Sequence, residues 1–241
     1  MSRPIADDRK AADDRRAFDE FTARVMLGGA HMVMDEYAQE IFDLWFSGNA
    51  PDEVIFDNPK WAEYMKADKG LEKIIDDHLF RYAKFLRDEA LRGGKVLPDG
   101  RIDLKFQPYK LQFHGEVGTQ TGGYNTGYTV LHGSHRTVGD FQISGTISIE
   151  QASLKAPNLT VKYTNNVLTF NDIVDPNYQY GSDATFDRLA RNMTRAMGQR
   201  PPKNYTLRIV WREAGPWLYE IPLEPPKNAA DWLKPYPRGF K

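Results

Sequence analysis

The sequence predicts an α+β protein: several helices, then an antiparallel sheet of six to eight strands, interrupted by one helix and curled into a barrel to protect its edges. Three observations carry this expectation. Up to about residue 91, apolar residues recur at spacings of three and four. After Gly94 the pattern changes to alternation. Within the alternating part, one stretch over residues 185–197 reads as a helix. The chain divides accordingly into a helical segment, 1–95, and a β-barrel activity domain, 96–241.

Residues 6–23 are dense in charge, and their few apolar side chains, Phe18 and Phe21 with Val25 beyond, make a narrow docking stripe on a solvated helix. Residues 32–45 form a stronger amphipathic helix. Met34, Tyr37, Ile41 and Leu44 share one face, with Ala38, Phe42 and Trp45 beside them. Ser47-Gly48-Asn49 stops it and Pro51 follows. Residues 60–65 are a short helix and 71–91 a long one. The stripe of the long helix is Leu71, Ile74, Ile75, His78, Leu79, Tyr82, Phe85 and Leu86. His78 on that stripe reads as a core histidine, not a ligand.

Strands follow. Ile102, Leu104 and Phe106 alternate with charged residues, then Leu111 and Phe113. Phe141 and Ile143 lead to Thr146, Ile147 and Ile149, with Gly145 as a kink or bulge. Leu159-Val161-Tyr163 and Val167-Thr169 flank Asn165-Asn166, a tight-hairpin signal. Tyr205, Leu207, Ile209 and Trp211 alternate, as do Trp217, Tyr219 and Ile221. The proline-rich tail from Pro222 is expected to be extended, with Trp232, Tyr236 and Phe240 available to the barrel or to a membrane surface.

Composition removes several function classes. Thirty-two Lys and Arg against 33 Asp and Glu leave a net charge of -1, so there is no basic field for nucleic acid. With no cysteine, disulfides, thiolate metal sites and cysteine nucleophiles are excluded. No apolar run is long enough for a transmembrane helix. The first 16 residues are charged and lack the apolar core of a secretory signal.

Three places can hold chemistry. Residues 115–139 carry seven glycines among Ser and Thr. No Lys-Ser or Lys-Thr closes them into a phosphate loop, so they read as a loop between strands that can cover a site. Within them, His132 and His135 are three apart, but neighbouring Gly and the strand context break metal geometry. His135 or Arg136 is better suited to a phosphate or polar substrate. Residues 171–188 leave a strand and enter a helix. Asp172, Asp175, Asp187 and Arg188 crowd there with Tyr178 and Tyr180, and Asp183 suits the helix N-cap.

At this stretch the order of elements resembles the colicin M family of bacterial toxins. Leu44-Trp45 with Ser47-Gly48-Asn49 is similar to the family's Leu-Trp-Gly-Asn helix end. Gly139-Asp140-Phe141, running on to Ser148, is similar to its Gly-Asp-Tyr strand. Thr169-Phe170-Asn171-Asp172-Ile173-Val174, then Tyr178, then Met193-Thr194-Arg195, resembles its last strand, active loop and helix. The likeness spans roughly residues 30 to 210.

The resemblance implies a helical segment followed by a partly open β-barrel. It implies hydrolysis of lipid II between undecaprenyl and pyrophosphate, with Mg²⁺, in the periplasm of a target cell. It also implies synthesis in the bacterial cytoplasm and a cognate immunity protein. The family signature is Asp-x-Tyr-Asp, then His-Arg at a helix start. Tyr178 keeps the Tyr, whereas Pro176 and Gln179 stand where the two Asp belong and Thr185-Phe186 where His-Arg belongs. A shift of two residues aligns Asp187-Arg188 with the His-Arg pair. The catalytic candidates are therefore Asp175, Tyr178, Asp187 and Arg188. Asp175 and Asp187 are the metal ligands, and His135, Arg136 and Tyr180 the substrate contacts. A binding protein that keeps the fold without catalysis is the alternative.

Overall fold

A computed structural model describes residues 4–32, 35–93, 99, 101–114, 140–174, 192, 194–195, 202–213 and 215–224. It is α+β, with four helices and six strands delimited among the described residues. The elements run α1 (Pro4–His31), α2 (Glu36–Phe46), β1 (Glu53–Phe56), α3 (Pro59–Lys66), α4 (Lys69–Gly93), β2 (Asp103–His114), β3 (Asp140–Glu150), β4 (Asn158–Val174), β5 (Tyr205–Glu213) and β6 (Trp217–Pro222). The strands form a mostly antiparallel, open sheet in the order β1-β5-β4-β3-β2, with β6 paired to β4. Of the expected helix over 185–197, only 192, 194 and 195 are described, and they are helical.

Two compact units share the chain. One comprises Met1–Ile55, Glu116–Gly139 and Asn171–Arg208; the other comprises Phe56–Gly115, Asp140–Phe170 and Ile209–Lys241.

In the first unit α2 is the anchor. Asp35 caps it, its carboxylate accepting the Ala38 N–H at 2.8 Å. The face it buries is Ala38, Ile41, Phe42, Trp45 and Phe46, while Tyr37 and Leu44 of the expected stripe are half-buried. Gly48, at φ 70, takes the left-handed conformation that ends helices cheaply. Two of its carbonyls find partners just before β5 and at its first residue. The Trp45 carbonyl accepts the Lys203 N–H at 3.0 Å, and the Ile41 carbonyl accepts the Tyr205 hydroxyl at 3.0 Å. The Trp45 indole N–H donates to Asn204 Oδ1 at 2.9 Å. Trp45 is fully buried. Trp45→Ala is therefore expected to cost about 3–5 kcal/mol of unfolding free energy, measured by urea denaturation.

The second unit packs α4 against tyrosines of the sheet. Asp68 is fully buried and caps α4 by accepting the Leu71 N–H at 2.9 Å. Leu71, Leu79, Ala83, Leu86 and Ala90 face inward. The Tyr163 hydroxyl donates to the Leu79 carbonyl and that of Tyr219 to Asp76, each at 2.7 Å. The Tyr163 ring meets those of Tyr109 and Tyr219 edge-on at 5.0 and 5.6 Å. Burial first of all holds the Tyr109 and Tyr219 phenols well above their ordinary pKa. β2 carries Pro108, which has no N–H to give, and lies at the end of the strand order, where a proline is tolerated.

His78 is half-buried and stacks on Phe113, centroids 4.0 Å apart and planes 10° apart. Burial, then the charge of Arg81, lowers its pKa against the opposing pull of Asp77. The unfolded chain then takes up this proton first, near pH 6.5. The stability His78 contributes is present above that value and is lost as pH falls toward its lower folded pKa. His78→Phe is expected to flatten that part of the pH dependence, checked by unfolding free energies at pH 7 and pH 5.

The sheet corrects one expectation. Asn165-Asn166 is not a hairpin turn: β4 runs unbroken through it for 17 residues. Before it the buried positions are 159, 161 and 163; after it they are 166, 168, 170, 172 and 174. Asn165, at φ 55, inserts one residue and flips which side chains face inward, as a β-bulge does. Asn166 thereby turns inside, fully buried, where its Oδ1 accepts the Tyr109 hydroxyl at 2.7 Å. Gly145, paired with Tyr109 in the β2–β3 register, lies against this point.

Candidate active site at the end of the fourth strand

The bulge determines what β4 presents at its end. Had the parity set by Leu159, Val161 and Tyr163 continued, Asn171 and Ile173 would face inward. Instead Asp172 is buried at 6% exposure and Ile173 is 60% exposed. The Asp172 carboxylate accepts the Ile173 N–H at 2.7 Å. Asn171 Oδ1 accepts from Arg208 Nε at 2.9 Å, and Arg208 Nη2 reaches Glu53 Oε1 at 2.7 Å. Arg208 on β5 thus joins the end of β4 to β1. Arg208 and Glu53 each keep about 40% of their side-chain surface open to water.

Tyr205 sits within this cluster. Its phenol is driven well above the ordinary value, first by burial and then by the carboxylates of Glu40 and Asp172. It remains a neutral donor throughout the physiological range. While the Tyr205 hydroxyl is already held by the Ile41 carbonyl, the cluster sets a buried carboxylate beside a fixed, partly exposed guanidinium. Those groups can orient water and hold an anion.

Asp175 follows directly on Val174, the last described residue of β4. Asp175, Tyr178, Tyr180, Asp187 and Arg188 lie outside the described residues, as do His135 and Arg136 in the glycine-rich segment 115–139. Among the described residues no group of three or more His, Asp or Glu side chains could hold a metal ion. None of their helices is long and apolar enough to cross a membrane.

Three residues of the strand-end cluster, Glu53, Tyr205 and Arg208, escaped the sequence reading. Arg208 lies 37 positions from Asn171, and nothing local distinguishes it from a solvent-facing strand residue. Tyr205 read only as the first apolar residue of its strand.

No family model matches the chain, and no curated protein or solved structure matches it.

Proposed function

We propose that the chain is a colicin-M-like antibacterial toxin or effector domain. It hydrolyses lipid II between undecaprenyl and pyrophosphate and so blocks peptidoglycan synthesis. The observation that carries this reading is the order of three short motifs: Leu44-Trp45 with Gly48-Asn49, the strand from Gly139, and Thr169 to Val174 leading to Tyr178. A largely helical first part, with β1 as its one strand among the described residues, followed by the other five strands of an open, mostly antiparallel sheet supports it. In this reading the sheet is the wall of a partly open barrel.

Such a hydrolysis needs a base for water and positive charge at the leaving pyrophosphate. Asp175 or Asp187 acts on water or holds Mg²⁺, which supplies charge stabilisation when bound. Arg188 adds a second positive charge. Tyr178 serves the reaction beside them, and Tyr180, His135 and Arg136 position the headgroup. The toxin is made in the bacterial cytoplasm, acts in the periplasm of a target cell at the membrane surface, and is paired with an immunity protein.

Pro176, Gln179 and Thr185-Phe186, standing where the signature has Asp, Asp and His-Arg, favour a second reading: a protein that binds lipid II without cleaving it. Directing the chain to the periplasm of a sensitive bacterium tests the toxin reading. Arrested growth and lysis are expected, and undisturbed growth would count against it.

A further inference from the structure

We infer that α1 is a dimerisation helix that pairs antiparallel with α1 of a second copy of this chain. Its largest apolar side chains face water. Phe18, Phe21 and Val25 recur at helical spacing on one face, with Met32 just past the helix end, and they are 68%, 65%, 58% and 87% exposed. An adjoining side, with Glu20, Arg24, Leu27 and His31, lines a cleft of about 460 Å³ against the end of α2. The cleft is lined about equally by polar and apolar groups, and its polar ones are paired: His31 Nε2 meets Asp43 Oδ1 at 2.6 Å, while Gln39 nearby donates to the His31 carbonyl at 3.0 Å. Small and medium apolar residues, Ala23 with the half-buried Met26 and Leu27, thus face the rest of the unit, while the aromatic stripe faces water. Among residues 9–29 only Ala23 is buried. A helix of 28 residues gains most of its stability from packing an apolar face. Here that face still has to be covered.

A second copy fits by area and by shape. Four side chains of this size, so exposed, present on the order of 500 Å², the size of patch that marks an interaction site. A two-fold pair buries about 1,000 Å², where specific interfaces begin. The same stripe on both partners satisfies the isologous contact of a two-fold dimer. Helices crossing near Phe21 set Phe18 of one copy against Val25 of the other. Gly28 and Gly29, two turns beyond the crossing, have nothing within 4 Å of where a Cβ would sit, so nothing in the chain blocks the second helix there.

The full chain examined by light scattering after size exclusion is expected to show twice its 27.6 kDa mass. Phe21→Glu, an exposed change that leaves the fold intact, should weaken the dimer by roughly tenfold or more. Because the chain has no cysteine, Thr22→Cys reports the crossing point directly. Mild oxidation should link two copies through it, and Arg9→Cys, far from the crossing, should not link. A single 27.6 kDa species overturns the inference. So does a dimer that persists unchanged in Phe21→Glu, or a monomer that sediments with phospholipid vesicles through the same stripe.

Discussion

Gly145→Ala is expected to lower the unfolding free energy by about 2–3 kcal/mol, seen as a lower urea midpoint with the slope unchanged. A Cβ built at that position stands 2.7 Å from the Thr164 carbonyl oxygen, 2.9 Å from Asn166 Oδ1 and 3.0 Å from Tyr109 Cε1. None of the three can move freely. The first is strand backbone, and the other two residues share the buried hydrogen bond that holds the bulge. Relief would have to come from separating strands or breaking that bond, which would leave polar groups unpaired in the core. The loss is a large share of the 5–15 kcal/mol that holds a typical domain together. An alanine variant as stable as the parent would show that the bulge is not clamped. The parity of β4, and with it the inward Asp172, would then need another cause.

Asp187→Ala is expected to reduce lipid II hydrolysis by about 10²–10⁴-fold, the usual worth of a general acid or base. The effect should fall on turnover and leave lipid II binding largely intact, which distinguishes lost chemistry from a lost fold. Circular dichroism of the variant should match the parent. Asp175→Asn should show a similar loss if both carboxylates serve water and metal. Full activity in Asp187→Ala would remove that residue from the mechanism and move the search to Asp175 and the buried Asp172.

The helices were legible because their signals are local. Period, cap and stop lie within a few residues of each other, as with Asp35, the Ile41–Trp45 face and Gly48 of α2. The strand β1 was not legible, because four residues with an exposed Glu53 carry too little alternation. Asn165-Asn166 misled for a different reason. A hairpin turn and a bulge both use a left-handed Asn between alternating runs, and what decides here is Tyr109, 57 residues from Asn166. The stripe on α1 was visible as apolar spacing, but a sequence cannot say that the stripe points to water. At the strand end, Asp172 stood inside the stretch that drew notice. Arg208 and Tyr205 reach it only through pairing of distant segments. The remaining site residues, from Asp175 to Arg188, rest on the family resemblance and on their crowding in one strand-to-helix stretch.

The most direct measurement incubates the purified chain with lipid II and Mg²⁺ and separates the products by chromatography. The proposed function predicts undecaprenol and a headgroup pyrophosphate, formed together as lipid II disappears. Intact lipid II, under conditions where an active colicin-M-type toxin cleaves it, would contradict the hydrolase.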